Sequence, residues 1–301
     1  MATSIKYKKV YIDTKFKTSD SPSTSDFKVE LPETMHFQPN TVFYIDDVCI
    51  PHSWESIETD INDRLYIQIY ENGAGGTITN QWSVIARVSA GNYTGSDFAN
   101  ELQSDLNSFA QTATGIANLF TCSYIAKTNQ IQIATGYDNI SFKILTPNDL
   151  QLAVSDFTAS YDKKNPHDIN EVLSNLNGFS PRYNKIVPYL SGALILQPFN
   201  NIYIHSTNLG NYNSIGPMGE QTIVKKIPVS ADYNHMIFDQ CVLYNDYNDC
   251  GGQTIKTLYF KLLSSRGEVI PLHGCNWSFS IVFSRANPDL WIIFLRINFI
   301  G

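Results

Sequence analysis

The fold of this chain is decided by three segments near its start: Val10-Tyr-Ile-Asp-Thr-Lys-Phe-Lys-Thr18, Asp26-Phe-Lys-Val-Glu-Leu-Pro32 and Asn40-Thr-Val-Phe-Tyr-Ile-Asp-Asp-Val-Cys-Ile-Pro51. In the first segment Val10 and Ile12 alternate with polar residues. Phe27, Val29 and Leu31 repeat this alternation in the second. Such a period of two gives a strand one buried face and one face in water. A Ser-, Asp- and Pro-rich turn joins the first two segments, so the order predicts the start of an antiparallel sandwich.

Similar strand patterns continue along the chain and change character in the middle. Residues 64–71, 82–88, 120–126, 130–134 and 140–145 are predicted strands, with a hairpin at 127–129. A helix is predicted from Thr94, because Phe98, Leu102, Leu106 and Phe109 follow at helical spacing. A short helix is predicted over 168–176. Further strands are predicted at 192–196, 201–205, 221–227, 235–241, 254–263 and 277–283.

Two all-β blocks therefore flank a middle region of mixed α and β character. This arrangement predicts an all-β protein: a single jelly-roll β-sandwich with a mixed α+β insertion domain. We expect residues 1–75 and 190–301 to form the discontinuous jelly-roll domain, and residues 76–189 to form the insertion domain. The insertion is expected at one end of the sandwich, where loops carry recognition.

Charged residues make up only 16% of the 301 residues, below the roughly 25% of ordinary soluble domains. Either polar uncharged side chains cover the surface, or other subunits do. The net charge of −7 argues against broad nucleic-acid binding, which needs clustered Lys and Arg. The exception is the N-terminal leader, residues 1–9, where Lys6, Lys8 and Lys9 are candidates for an interior-facing basic arm that contacts genomic DNA. A solvated strand face is the simpler interpretation of these lysines.

The five cysteines are odd in number and widely spaced, without a CxxC pair, so they predict neither a zinc site nor a disulfide framework. Folding in a reducing cytoplasm fits this usage. The most apolar segment, 290–300, is interrupted by Arg296 and too short to span a bilayer, so no membrane span is predicted. It is either a final strand or an intersubunit tail, whose candidate contact residues are Leu290, Trp291, Ile292, Phe294 and Phe299.

Three patterns resemble catalytic or ligand-binding motifs but lack the required context. Tyr44-Ile-Asp-Asp47 matches the YxDD box of reverse transcriptases, yet the 43 residues before it cannot hold the rest of a palm. Gly73-Ala-Gly-Gly76 precedes a predicted strand, whereas a phosphate loop needs a helix N-terminus. His167-Asp168 lies in a polar stretch typical of a loop. We therefore predict no catalytic, metal or cofactor site, and no enzyme.

Several segments carry a resemblance to a known family. They are Ile12-Asp-Thr-Lys-Phe-Lys-Thr18, Ser25-Asp-Phe-Lys-Val-Glu-Leu-Pro32, Phe43-Tyr-Ile-Asp-Asp-Val-Cys-Ile-Pro-His-Ser-Trp54, Gly91-Asn-Tyr-Thr94, Leu176-Asn-Gly-Phe179 and Pro198-Phe-Asn-Asn-Ile-Tyr-Ile-His205. In these segments the chain resembles the penton, or minor capsid, proteins of virophages and related polinton-like viruses. The resemblance runs over nearly the whole chain.

The resemblance implies a homopentamer at the twelve vertices of an icosahedral virion. Its neighbours would be trimers of a double jelly-roll major capsid protein, and the insertion domain would rise on the outer face. The alternative is a host-attachment module built on a jelly roll, whose insertion domain binds a surface receptor or glycan. Candidate residues for stacking on sugars are Trp82, Tyr93, Tyr137 and Tyr161.

Overall fold

A computed structural model describes residues 7–153, 157, 169–170, 172–174, 180–209, 214–241 and 247–285. These residues form sixteen strands and two α-helices: β1 (Tyr7–Asp13), β2 (Asp26–His36), β3 (Thr41–Pro51), β4 (Arg64–Asn72), β5 (Ile78–Arg87), α1 (Gly95–Thr114), β6 (Phe120–Ile125), β7 (Gln130–Thr135), β8 (Ile140–Ile144), α2 (Pro147–Ala153), β9 (Tyr183–Asn184), β10 (Tyr189–Leu190), β11 (Asn201–His205), β12 (Ile223–Pro228), β13 (Met236–Gln240), β14 (Asn248–Asp249), β15 (Thr254–Leu263) and β16 (Ser278–Arg285).

The chain divides into two compact units whose bounds differ from the predicted domains. The first unit is residues 1–54 with 199–301, and the second is residues 55–198. The difference at the first boundary concerns β4, which was expected in the jelly roll. Its hydrogen-bonded partners are β5 and β8, so it lies in the second unit.

The first unit is a sandwich of two antiparallel sheets. Sheet A has the order β1-β16-β3-β13, with β14 also paired to β3, and sheet B has the order β12-β11-β15-β2. Apart from the hairpin β11–β12 and the short β14, successive strands of this unit alternate between the sheets. This is jelly-roll topology, as predicted, and the second unit is inserted between β3 and β11.

Aromatic side chains fill the space between sheets A and B. The ring of Phe260 in β15 packs edge-on against Phe279 in β16, with centroids 4.8 Å apart. Phe27 in β2 lies 5.7 Å from Phe260 and 5.6 Å from Trp277. The indole Nε1 of Trp277 donates to the carbonyl of Thr24 at 2.8 Å, which satisfies its buried polar group. The core of the sandwich thus depends on residues from both ends of the chain.

The second unit has a four-stranded sheet, β5-β4-β8-β9, and a three-stranded sheet, β10-β7-β6. Helix α1 begins after Thr94, whose hydroxyl accepts the Asp97 N–H, and ends at Gly115 in the left-handed conformation. Its buried face, Phe98, Leu102 and Leu106, packs in the core of this unit. Neither helix in the described part of the chain has the length and apolar character that crossing a bilayer requires.

Most predicted strands are present within a few residues, and one is not. Residues 192–196 form no strand because their backbone makes isolated bonds instead of a ladder: the N–H groups of Leu194 and Ile195 donate to the carbonyls of Asn129 and Val172. The predicted strand 10–18 ends at Asp13 and is followed by a 3-10 turn, Thr14–Phe16. The predicted helix 168–176 lies largely outside the described residues.

A buried carboxylate holds the start of α2. Asp149 accepts the Lys143 ammonium at 2.6 Å, the Thr146 N–H at 3.1 Å and hydroxyl at 3.0 Å, and the Ser180 N–H at 3.0 Å. Burial raises the pKa of Asp149, but the hydrogen bonds from Lys143, Ser180 and Thr146 outweigh it, so the pKa lies below the ordinary value.

This lowered pKa predicts acid sensitivity of the second unit. Because the folded pKa of Asp149 is depressed, its contribution is complete well above the ordinary value of 3.8 and is lost as pH falls through the folded pKa. Asp149→Asn is expected to lower the melting temperature at pH 7 and to flatten its decline in acid, measured by thermal melts at several pH values. Asp138→Asn, at an exposed ion pair with Lys185, is the matched control. Equal acid profiles for Asp149→Asn and the wild type would contradict the assignment.

Candidate intersubunit surface

The outer face of sheet A, turned away from the core, exposes large apolar side chains. Ile12 faces the core. Side chains an odd number of residues away along β1 point to the opposite face, so Tyr7 and Tyr11 face outward, and they are 62% and 76% exposed. Phe238, on the opposite edge strand β13, is 69% exposed. The middle strand β16 has small side chains on this side, the half-buried Ser284 and the fully buried Ser280. An exposed aromatic rim around small residues is a surface suited to contact with another protein.

A charge network lies on the same face. The Lys9 ammonium contacts Asp46 at 2.6 Å and Asp47 at 3.3 Å, and the Ser280 hydroxyl donates to Asp47. Adjacent residues of a regular strand point to opposite faces, but the register between β3 and β16 shifts at Asp46, and this bulge brings both carboxylates to Lys9. Hydrogen bonding to Asp46 and Asp47 raises the pKa of Lys9 despite partial desolvation.

The structure pairs two of the three lysines of the predicted basic arm with carboxylates of the same unit. Lys9 binds the aspartates described above, and Lys8 in β1 pairs with Glu33 in β2. Lys6 lies outside the described residues. The direction in which the leader points stays a prediction, but the positive charges of Lys8 and Lys9 are offset within the chain. The YxDD aspartates are likewise part of a strand ladder and an ion-pair network.

The flank of the sandwich beside β1 and β2 carries an apolar cleft of about 380 Å³. Phe16, 74% exposed, and Tyr11 stand at this cleft. Its other lining residues are Ile12, Asp13, Val29, Asp47, Ser278 and Phe279. The lining combines residues from four strands of both sheets with a turn that follows β1, so it depends entirely on the tertiary fold.

A larger polar cleft of about 810 Å³ lies among the loops of the first unit. Lys15, Lys17 and His273 line it together with small hydroxyl residues at 21 and 23–25 and the segment 269–274. No carboxylate side chain lines it. A cleft with this lining suits a polar or anionic group.

The described residues contain no group of three or more His, Cys, Asp and Glu side chains that could hold a metal ion. Gly73–Gly76 contains a 3-10 turn followed by β5, as predicted, and His167-Asp168 falls outside the described residues. Four histidines make single hydrogen bonds: His36 to Thr254, His52 to the carbonyl of Ala231, His205 to Thr222 and His235 to the carbonyl of Tyr233. None of the five cysteines, all of them among the described residues, forms a disulfide bond.

Two further sets of predicted residues are the apolar tail and the candidates for sugar stacking. The tail residues Leu290, Trp291, Ile292, Phe294 and Phe299 all lie outside the described residues. Among the candidates for sugar stacking, Trp82 and Tyr93 pack against the core of the second unit, and the hydroxyl of Tyr137 donates to the carbonyl of Ala117. Tyr161 is not among the described residues.

Sequence reasoning missed the exposed aromatic face and the flank cleft. The face had a readable signal, because assigning Ile12 to the core places Tyr7 and Tyr11 outside by alternation. The cleft had none, since Val29 and Ser278 are far apart in sequence.

Sequence comparison finds no match to a protein-family model and no match to a curated protein. Comparison of folds finds a crystal structure of the mavirus penton protein, with a TM-score of 0.51 and 12% sequence identity. The match covers 93% of this chain and 100% of that chain. The motifs quoted in the sequence analysis likewise resemble those of penton proteins of the Mavirus type. The chain therefore shares its fold with a viral penton protein, over nearly the whole length of both.

Proposed function

We propose that this chain is a structural capsid protein, a penton that closes the five-fold vertices of an icosahedral virion as a homopentamer. The observation that carries the proposal is the likeness to the mavirus penton protein, which includes the inserted second unit as well as the jelly roll. In the proposed shell the neighbours are copies of a double jelly-roll major capsid protein. The proposed role involves no catalysis and no cofactor, and its place is the virion after synthesis in the reducing cytoplasm of the host.

Five-fold symmetry limits the kind of interface that the subunits use. A closed ring of five needs a head-to-tail contact in which two different surfaces of each subunit meet. The flank with Tyr11 and Phe16 supplies one apolar surface, and Phe238 on β13 belongs to another edge of the same sheet. Low charge across the chain favours the same interpretation, since burying charge against a neighbour is costly.

The basic leader has a weaker role in this proposal than its sequence suggests. Lys8 and Lys9 are paired with Glu33, Asp46 and Asp47, so contact with genomic DNA would depend on Lys6 or on opening these pairs. We therefore propose protein contacts as the main function of the first unit. The insertion unit remains the proposed site of receptor contact.

Attachment to the host is a second candidate function, compatible with the first. Besides the insertion unit, the polar cleft of the first unit that contains Lys15 and Lys17 is a second proposed site for it, because such an open site on loops suits an anionic glycan. Binding of the full chain to a glycan array, lost in Lys15→Ala/Lys17→Ala, would support attachment. Unchanged binding in this variant would place recognition elsewhere.

The penton proposal predicts the mass of the assembled protein. Native mass spectrometry of the full chain, alone and with the major capsid protein, is expected to give five copies or shells that close only when this chain is present. Phe238→Glu is expected to reduce assembly, because it places a charge on an apolar contact surface.

The matched control is Leu152→Glu, which introduces the same charge at an exposed position of the second unit. Shells that close without this chain, together with a chain that stays monomeric, would contradict the penton proposal.

A further inference from the structure

The outer edge of β1 is open to pairing in the first unit. β1 bonds to β16 on one side, and the described residues place no strand on its other side. Such an edge presents a row of free N–H and C=O groups that another strand can pair with. Two other edges of the sandwich carry prolines, which cannot donate to a ladder: Pro32 in β2, and Pro228, together with Lys226, in β12.

Lysines often protect an edge strand, but those of β1 do not carry free charge. Lys8 is paired with Glu33, and Lys9 is paired with Asp46 and Asp47. The remaining carboxylate of β1, Asp13, accepts the backbone N–H of Lys15 at 2.8 Å. Within the described residues no cation forms a salt bridge with Asp13, so its charge faces the flank uncompensated.

The flank cleft lies directly beside this edge. Ile12 and Phe279 contribute buried apolar surface to it, and Tyr11 and Phe16 are the exposed aromatic residues at it. Asp13 lines the same cleft. A fitting partner is therefore an extended apolar segment that carries one cation.

The chain contains such a segment at 290–300, Leu-Trp-Ile-Ile-Phe-Leu-Arg-Ile-Asn-Phe-Ile, in which Arg296 is the single charged residue. We propose that this segment of a second copy binds along β1 as an added antiparallel strand. Its apolar side chains enter the flank cleft, and Arg296 pairs with Asp13. The proposal rests on the proposed function, since the second copy is the neighbouring subunit of the ring.

The connection after β16 favours a second copy over the same chain. β16 ends at Arg285 and runs antiparallel to β1. If the tail of the same chain turned back beside β1, it would pair in parallel after a connection of only 286–289, across the end where the leader enters. A neighbouring subunit can pair antiparallel without that restriction. Repeated head-to-tail, this donation generates a closed ring.

A reciprocal charge exchange in the full chain tests the pairing. Asp13→Arg and Arg296→Asp are each expected to weaken self-association by about tenfold or more, measured as the dissociation constant in sedimentation. Asp13→Arg/Arg296→Asp is expected to recover most of the lost self-association, because the two charges are again opposite. A folding defect in either single variant would not be repaired in this way. Asp232→Arg makes the same charge change at an exposed position outside the flank and serves as control.

Mixing the two single variants separates donation between copies from docking within one chain. In a mixture, each tail meets an acceptor of opposite charge only on the other variant, so mixed dimers are expected. Absence of mixed dimers, or a double variant no better than the singles, would overturn the proposal. A wild-type ring that Asp13→Arg leaves intact also refutes the tail contact while the penton function stands. A wild-type chain that never associates would refute the penton function itself.

Discussion

Phe260→Ala is expected to lower the free energy of unfolding of the first unit by about 3–5 kcal/mol. Phe260 is fully buried and its ring contacts Phe27 in its own sheet and Phe279 in the opposite sheet. Truncation removes the transfer energy of the ring and leaves a cavity that the rigid sheets cannot fill. Urea denaturation followed by the fluorescence of the protein measures this loss.

The same substitution on the outer face provides the control for this measurement. Phe238→Ala removes a ring that is mostly in water and is expected to change the free energy of unfolding by less than about 1 kcal/mol. The helical circular dichroism signal comes largely from α1, in the second unit, and its urea midpoint is expected to change less on Phe260→Ala than the midpoint of the sandwich. Equal losses for Phe260→Ala and Phe238→Ala would show that the core is placed wrongly.

Asp239→Ala is expected to destabilise the first unit by about 3 kcal/mol, because it leaves a buried ammonium without its carboxylate. The Nζ of Lys225 in β12 contacts Asp239 in β13 at 2.7 Å and the carbonyl of Ile45 at 3.3 Å. The pair joins sheet B to sheet A where only 4% of the Lys225 side chain is exposed. The melting temperature is expected to fall by about 6–12 °C for a unit of this size.

A second substitution distinguishes the buried charge from lost packing. Lys225→Met removes the cation and keeps most of the side-chain volume, so Lys225→Met/Asp239→Ala is expected to be more stable than Asp239→Ala alone. If the double variant melts below Asp239→Ala, the unpaired ammonium is not the cause of the loss.

The sequence predicted the positions of the strands and helices better than which strands pair with each other. Alternation placed β1, β2 and β3 within a few residues, and the spacing from Phe98 to Leu106 identified α1. The strand β4 was also found, but a period of two says only that a strand has a buried face, not which sheet buries it. Because β4 pairs with β5 and β8, the boundary between the two units lies before β4, and local sequence patterns could not locate it.

The candidate interface was predictable only in part for a similar reason. Alternation around Ile12 identifies the outward positions of β1, but exposure of Phe238 depends on β13 being an edge strand. The pairing of Lys9 with two adjacent aspartates requires a bulge that no local signal marks. Motifs such as Tyr44-Ile-Asp-Asp47 consequently resembled a metal site in sequence, whereas the fold uses them for an ion pair.

The position of β16 has a consequence during synthesis. The last described strand of the chain lies between β1 and β3, so sheet A has no centre until the ribosome has translated residues 278–285. The inserted unit is continuous in sequence and can fold on the nascent chain first, whereas the sandwich must wait for its final strand. A prematurely terminated polypeptide thus cannot present a finished sheet A.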